Sequence, residues 1–260
     1  MTFRLLDTGA STGGLNMGID QAVLQSVAAD LAPPTLRFYS WKPECVTVGY
    51  FQSMADEVDL AACRAAGVDA VRRLTGGGAV FHSAEITYSV VVPEGHYLAP
   101  PDILESYKRV CAGLLAGLAA LGLDAVFAPI NDIALGRDAD ARKISGNAQT
   151  RKMGCLLQHG TILLDVDPER MFGLLKVPSE KLKGKLIDDV KKRVVGLREA
   201  LGRAIGYDEG VRALEDGFQR AWGESCGARL EPAELSAEEL EAGRAAATST
   251  FGSEAWNLKR

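Results

Sequence analysis

Short runs rich in β-branched and aromatic residues recur at residues 36–40, 45–50, 68–74, 86–92, 125–127 and 160–164. Such runs suit a pleated, partly buried surface and predict the strands of a sheet. Between them the apolar period lengthens to that of a helix. Residues 15–29 form one such stretch, and 102–121 another, in which Ile103, Tyr107, Val110, Leu114, Leu118 and Leu121 make a single stripe at three- and four-residue spacing. Gly122 supplies a C-terminal stop. Asp167 before Pro168 predicts a further helix start, because the carboxylate accepts from orphan amides and proline loses nothing at the first helical position. Val211, Leu214, Phe218 and Trp222 mark an amphipathic helix, and Ser236 with Glu239 has capping-box spacing ahead of an Ala-rich one. Strands and helices mix without regular βαβ alternation. The expected fold is therefore α+β, a mixed or antiparallel sheet packed with helices. No repeat or linker interrupts it, which predicts a single domain over 1–260 with a helical C-terminal part, 208–260, packed on it.

Composition narrows the function. A chain of 260 residues, 47% of them apolar, can bury a large core. The net charge of -5 argues against a surface that attracts nucleic acid or anionic lipid. The five cysteines are scattered, odd in number and never in a CxxC pair, so neither a zinc site nor a disulfide framework is indicated. The N-terminus lacks the pattern of a signal peptide, and no run approaches the roughly 20 apolar residues that span a bilayer. The expectation is a cytoplasmic protein with no nucleic-acid or membrane partner.

Three segments carry candidate chemistry. In RRLTGGGAVFH, residues 72–82, three consecutive glycines follow two arginines between β-like runs. Glycine contributes no packing and costs entropy, so three in a row suggest that something approaches the backbone closely. The amides can cradle an anion and an arginine fork can bind phosphate, although a flexible hairpin with solvated arginines has the same composition. Neither the P-loop nor the GxGxxG pattern is present. In RKISGNAQ, residues 142–149, Lys143 stands among small polar residues, where it can stabilise charge on a phosphoryl or carbonyl oxygen or simply be an exposed loop lysine. Asn131-Asp132 can hold Mg²⁺ or make an ordinary turn. Taken singly, His82 and His159 read as hydrogen-bonded core histidines.

Together, RRLTGGGAVFH, INDI and KISGNAQ followed by QHGTILL resemble the signature blocks of the lipoate–protein ligase and lipoyl/octanoyl transferase family. LRFYSW, VTVGYFQ, KVPSEKLKGK, KRVVGL and EAWN extend the resemblance over nearly the whole chain. It implies a catalytic-domain fold shared with biotin–protein ligases, without the C-terminal accessory domain of many ligases. It also implies that Arg72, Gly76, Gly77, Gly78, Ala79 and His82 lie against the acyl chain and nucleotide, with Asn131, Gly146, Ala148 and His159 completing the binding site. Lys143 would be the catalytic residue and Asp132 would meet the metal. The implied activity is a ligase that uses ATP and Mg²⁺ to convert lipoate to lipoyl-AMP, then passes the acyl group to a lysine of a lipoyl carrier domain. A separate small accessory-domain protein is a further implied partner.

The alternative within the family is a transferase that takes octanoyl or lipoyl groups from an acyl carrier protein or another lipoyl protein. One transferase branch has its nucleophilic cysteine just before the pair matching Asn131-Asp132, where this chain has Ile130, and some transferases have arginine where this chain has Gly78. Both differences favour the ligase expectation. Ser83 stands where many relatives have Asp. Cys155, in an apolar run, reads as a packing residue. A non-catalytic lipoyl-domain or nucleotide-binding module is the reading from another class, and biotin ligase, with a different glycine signature, is a third.

Overall fold

The computed structural model describes residues 1–259. Its strands are β1 (Thr2–Ser11), β2 (Thr35–Trp41), β3 (Cys45–Val48), β4 (Asp69–Arg72), β5 (Val80–His82), β6 (Glu85–Pro93), β7 (Ala125–Ala128), β8 (Asp132–Leu135), β9 (Arg142–Lys152), β10 (Cys155–Leu163) and β11 (Arg229–Pro232). Its helices are α1 (Gly13–Ala28), α2 (Met54–Glu57), α3 (Leu60–Ala66), α4 (Ile103–Ala120), α5 (Pro168–Leu174), α6 (Glu180–Arg193), α7 (Leu197–Leu201), α8 (Tyr207–Cys226), α9 (Ala237–Ala246) and α10 (Glu254–Asn257).

Eight strands form one sheet in the order β11-β1-β2-β6-β10-β9-β8-β7, parallel across β11, β1 and β2 and antiparallel elsewhere. Strands β4, β3 and β5 form a second, three-stranded sheet. The mixed α+β expectation holds. The sequence expectation misses β1, β8 and β9 and the helices α2, α3, α6, α7 and α10, and the C-terminal part is not purely helical, because β11 returns to pair with β1 at the sheet edge.

The pleat divides β6 between two environments. Ile86, Tyr88, Val90 and Val92 join the core against α4 and α8, where Val110, Leu114, Leu118, Phe218 and Trp222 pack. Glu85, Thr87, Ser89 and Val91 face the other way, toward α1. There Leu6, Met17, Val23, Leu157 and Phe251 form a second core, and Val46, Val48, Val58 and Cys63 make a third beneath the small sheet. A cavity opens between the two sheets. No helix among the described residues is long and apolar enough to cross a membrane.

Candidate active site

A cavity of about 1040 Å³ is walled by the 77–82 loop and strand, floored by β9 and β10, and bounded on its far side by the start of α5 and by Val190, Lys191 and Val194. Its size is at the top of the ordinary range for small-ligand sites, enough for an acyl chain together with a second group.

The floor follows from strand alternation. On β10, His159, Thr161 and Leu163 line the cavity, while Leu156 and Ile162 enter the core beneath. Across the ladder, Ala148 pairs with His159 and Gly146 with Thr161, so both small residues share that face. Asn147 faces oppositely: its Oδ1 accepts from Tyr88 Oη at 2.6 Å and its Nδ2 donates to the Asn131 carbonyl at 2.8 Å. Asn131 returns a bond from Nδ2 to the Asn147 carbonyl. The two amides clamp the turn before β8 onto β9.

Strict alternation would carry Lys143 to the core face with Asn147. A bulge prevents it. Ser145 pairs with Ile133 but Lys143 pairs with Ala134, so Ile144 is the extra residue and takes the buried position. Lys143 thereby points into the cavity, and its carbonyl accepts from the Val195 amide at 2.9 Å. The side chain folds back over Gly146, where a Cβ would lie 2.8 Å from Nζ. Nζ pairs with Asp132 Oδ1 at 2.8 Å, the two side chains being 42% and 33% exposed. The site thus holds a partly hydrated cation that an oxyanion or phosphate can take over from Asp132.

Two carboxylate–histidine pairs are built into the wall. His82 Nδ1 lies 2.7 Å from Glu85 Oε1 and its Nε2 lies 2.8 Å from Thr47 Oγ1, with Trp41 stacked on the ring. His159 Nε2 lies 2.7 Å from Thr75 Oγ1 and its Nδ1 3.3 Å from Asp20 Oδ2. Both rings spend both nitrogens on the protein, which makes them wall-forming groups rather than free proton carriers. Burial lowers the His159 pKa and outweighs the opposing pull of Asp20, so the ring is neutral at neutral pH. Burial works to raise the Asp20 pKa, but the hydrogen bond from His159 and the charge of Arg37, at 2.7 Å, hold it below the usual carboxylate range.

The glycine loop lies at the cavity, but the two arginines before it part company. Arg73 reaches under the loop: its guanidinium donates to the carbonyls of Gly76 at 2.7 Å and Gly78 at 2.8 Å, and to Thr47. Gly77 has φ +96°, and a Cβ there would lie 2.8 Å from Arg73 Nη2. Arg72, the arginine expected at the ligand, instead turns away from the cavity and donates to backbone carbonyls on the opposite side. Arg73 takes the cavity-side role because successive strand side chains alternate faces.

Gly77, Gly78, Ala79, His82, Asn131, Lys143, Gly146, Ala148 and His159 therefore converge on one cavity, Asp132 borders it through Lys143, and Gly76 and Arg72 stand behind it. The sequence reading missed Asp20, Trp41, Arg73 and Glu85. A carboxylate inside an apolar helix, Asp20, and one opening an apolar strand, Glu85, were the available signals. Among the described residues lining the cavity there is no cysteine. Cys45, Cys63, Cys111 and Cys155 are buried, and burial raises each thiol's pKa, that of Cys111 to about 12. Cys155 sits in the second core, as its apolar run predicts.

Known proteins share this architecture from end to end. The octanoyltransferase LipM of Kyrpidia tusciae is 39% identical over 277 residues, covering 100% of this chain and 99% of its own, and LipM of Bacillus subtilis is 35% identical over 278 residues at 100% and 99% coverage. The bipartite lipoate protein ligase of Thermoplasma acidophilum, solved in a study that includes its E2 lipoyl domain, superposes with a TM-score of 0.87 at 28% identity, covering 100% of this chain and 98% of its own. A lipoate–protein ligase A solved with ATP gives a TM-score of 0.81 at 27% identity, with 99% of each chain covered. The sequence model of the lipoyl protein ligase A/B catalytic domain matches residues 13–219. Those residues carry every cavity group described above, and the chain belongs to that family of lipoate- and octanoate-handling enzymes.

Proposed function

We propose that this chain transfers an octanoyl or lipoyl group from a thioester donor to the ε-amino group of a lysine on a lipoyl carrier domain. The observation that carries acyl transfer is Lys143 Nζ, turned by the bulge into a cavity large enough for an acyl chain and its donor. The full-length likeness to octanoyltransferases supports the thioester donor, which displaces the ligase expectation as the main reading. The neutral amine of the carrier attacks the thioester carbonyl, the charge that develops on oxygen is met by Lys143, and the C–S bond breaks. The thiolate leaves with the proton the amine gives up, so an amide and a thiol are formed. Removing a single oxyanion partner costs about 10²–10³ in kcat. Because only the neutral amine attacks, the rate rises toward mildly alkaline pH.

A second reading, the ATP-dependent ligase, is favoured by the cysteine-free cavity, which offers no thiolate for an acyl-enzyme, and by the likeness to the ATP-bound ligase. There the acid's carboxylate attacks the α-phosphate, pyrophosphate leaves, and the carrier amine then displaces AMP. Mg²⁺ bound to phosphates commonly takes one or two protein carboxylates, and Asp132, one-third exposed beside Lys143, suits that place. The test is the mass of a lipoyl domain incubated with the chain and either octanoyl carrier protein, or octanoate with Mg²⁺ and ATP. Acylation from the thioester alone supports the transferase, acylation that requires ATP supports the ligase, and none in either arm rejects both.

A further inference from the structure

We propose that residues 256–259 are a positioning element of the acyl site, acting through Arg72 on the glycine loop. The proposal rests on the acyl-transfer reading of the cavity but concerns a segment outside it.

Arg72 is fully buried. Its guanidinium donates to at least six carbonyls: Gly49, Tyr50 and Gln52 at 3.0, 3.0 and 2.5 Å, and Trp256, Asn257 and Lys259 at 3.1, 2.9 and 3.1 Å. One side chain thus ties the loop after β3 to the C-terminal segment. The backbone completes the knot. The Arg72 amide donates to Asn257 Oδ1 at 2.8 Å, and the Arg72 carbonyl accepts from Trp256 Nε1 at 2.8 Å. Above it, Lys259 Nζ lies 3.8 Å from the Tyr50 ring centre and 3.3 Å from that of Trp256.

The loop held from behind in this way supports the glycines in front. The Tyr50 amide donates to the Thr75 carbonyl at 2.8 Å, and Thr75 Oγ1 meets His159. Gly49 is pressed against the loop so closely that a Cβ there would lie 2.0 Å from the Gly77 carbonyl. A shift of residues 49–52 therefore moves Gly77 and Gly78 directly, and they wall the cavity. A misplacement of about 1 Å in such a wall is enough to cost a reaction about 10²-fold.

The experiment compares wild type with Trp256→Ala, Trp256→Phe and Asn257→Ala in the full chain. It reads KM and kcat for the octanoyl donor, KM for the lipoyl domain, Tm, and hydrogen exchange at residues 74–79. Positioning predicts a donor KM raised about tenfold or more in Trp256→Ala, an unchanged lipoyl-domain KM, and faster exchange confined to 74–79. Trp256→Phe, which keeps the ring but loses the N–H, should fall between. Should Trp256→Ala not fold, Asn257→Ala, which removes one acceptor from the knot, decides in its place. Unchanged donor KM and unchanged exchange at 74–79, with a lower Tm alone, would reduce the segment to a stabilising clasp and overturn the proposal. If wild type transfers from neither donor, the acyl-transfer reading fails, while exchange at 74–79 still decides whether the segment holds the loop.

Discussion

Lys143 is half-hydrated and its pairing with Asp132 is one of the exposed kind, worth about 0–1 kcal/mol. Its removal should hardly touch stability. Lys143→Ala is expected to keep its Tm within a few degrees and lose about 10²–10³ in kcat, read by carrier acylation; equal rates in variant and wild type would remove Lys143 from the chemistry. Asp20 presents the opposite balance. It is fully buried against Arg37, so Asp20→Ala leaves an uncompensated charge and should cost about 3–5 kcal/mol in chemical denaturation. Cys155→Ala, by contrast, should retain full transfer, because the buried thiol lies in a core and not at the cavity. Complete loss would restore a thioester role to it.

The bulge at Ile144 belongs to the element scale, since it acts on the facing of a whole strand. Deleting Ile144 would remove the extra residue and leave Lys143 next to Ser145, still opposite Ala134 and still facing the cavity, at the cost of one buried side chain. A lower Tm with transfer well above that of Lys143→Ala is expected; activity as low as that of Lys143→Ala would show that the lysine needs the local geometry of the bulge and not its facing alone. The helix pair α4 and α8 shows a similar dependence on one position. A Cβ on Gly217 would lie 2.2 Å from the Gly117 amide nitrogen, so the two helices touch backbone to backbone. Gly217→Ala gains about 1 kcal/mol in helix propensity but overpacks a rigid contact, which costs about 1–3 kcal/mol or more. The contact dominates, and a lower Tm is expected.

At the scale of the molecule, acid stability reports the buried network between the sheets. Burial lowers the pKa of His159, and also that of His96, so the unfolded rings bind protons below about pH 6.5 that the folded rings refuse. Stability therefore falls as pH drops below about 6.5. Asp20, whose folded pKa is held below the usual range, contributes stability above the unfolded carboxylate value of about 3.9 that is lost as pH falls through its folded pKa. The measured Tm should be highest near or above neutrality and decline on acidification, more gently in His159→Gln between pH 6.5 and 5. An acid limb identical to wild type in that variant would exclude His159 as a contributor.

Wherever one physical rule governs a segment, the sequence alone determined the outcome. The stripe of Tyr107, Val110, Leu114 and Leu118 needs only helical periodicity, and those residues are the buried face of α4, although Ile103 at its start is exposed. The glycine run, the capping box at Ser236 and the apolar strand β6 were legible for the same reason. Strand β9 was not, because one of its faces lines a cavity and its residues are polar or small where a core strand would be apolar. Strand β1 likewise spends its polar residues on partners far along the chain, Arg4 on Glu239 and Thr8 on Arg37. The motif blocks fall around one cavity, and the tertiary structure decided how their side chains are arranged there. Which arginine faces the cavity depends on strand facing, the direction of Lys143 on a one-residue bulge, and the role of Arg72 on a segment some 185 residues away. Each of these is a relation between distant parts of the chain, and a pattern of local periods carries no record of such relations.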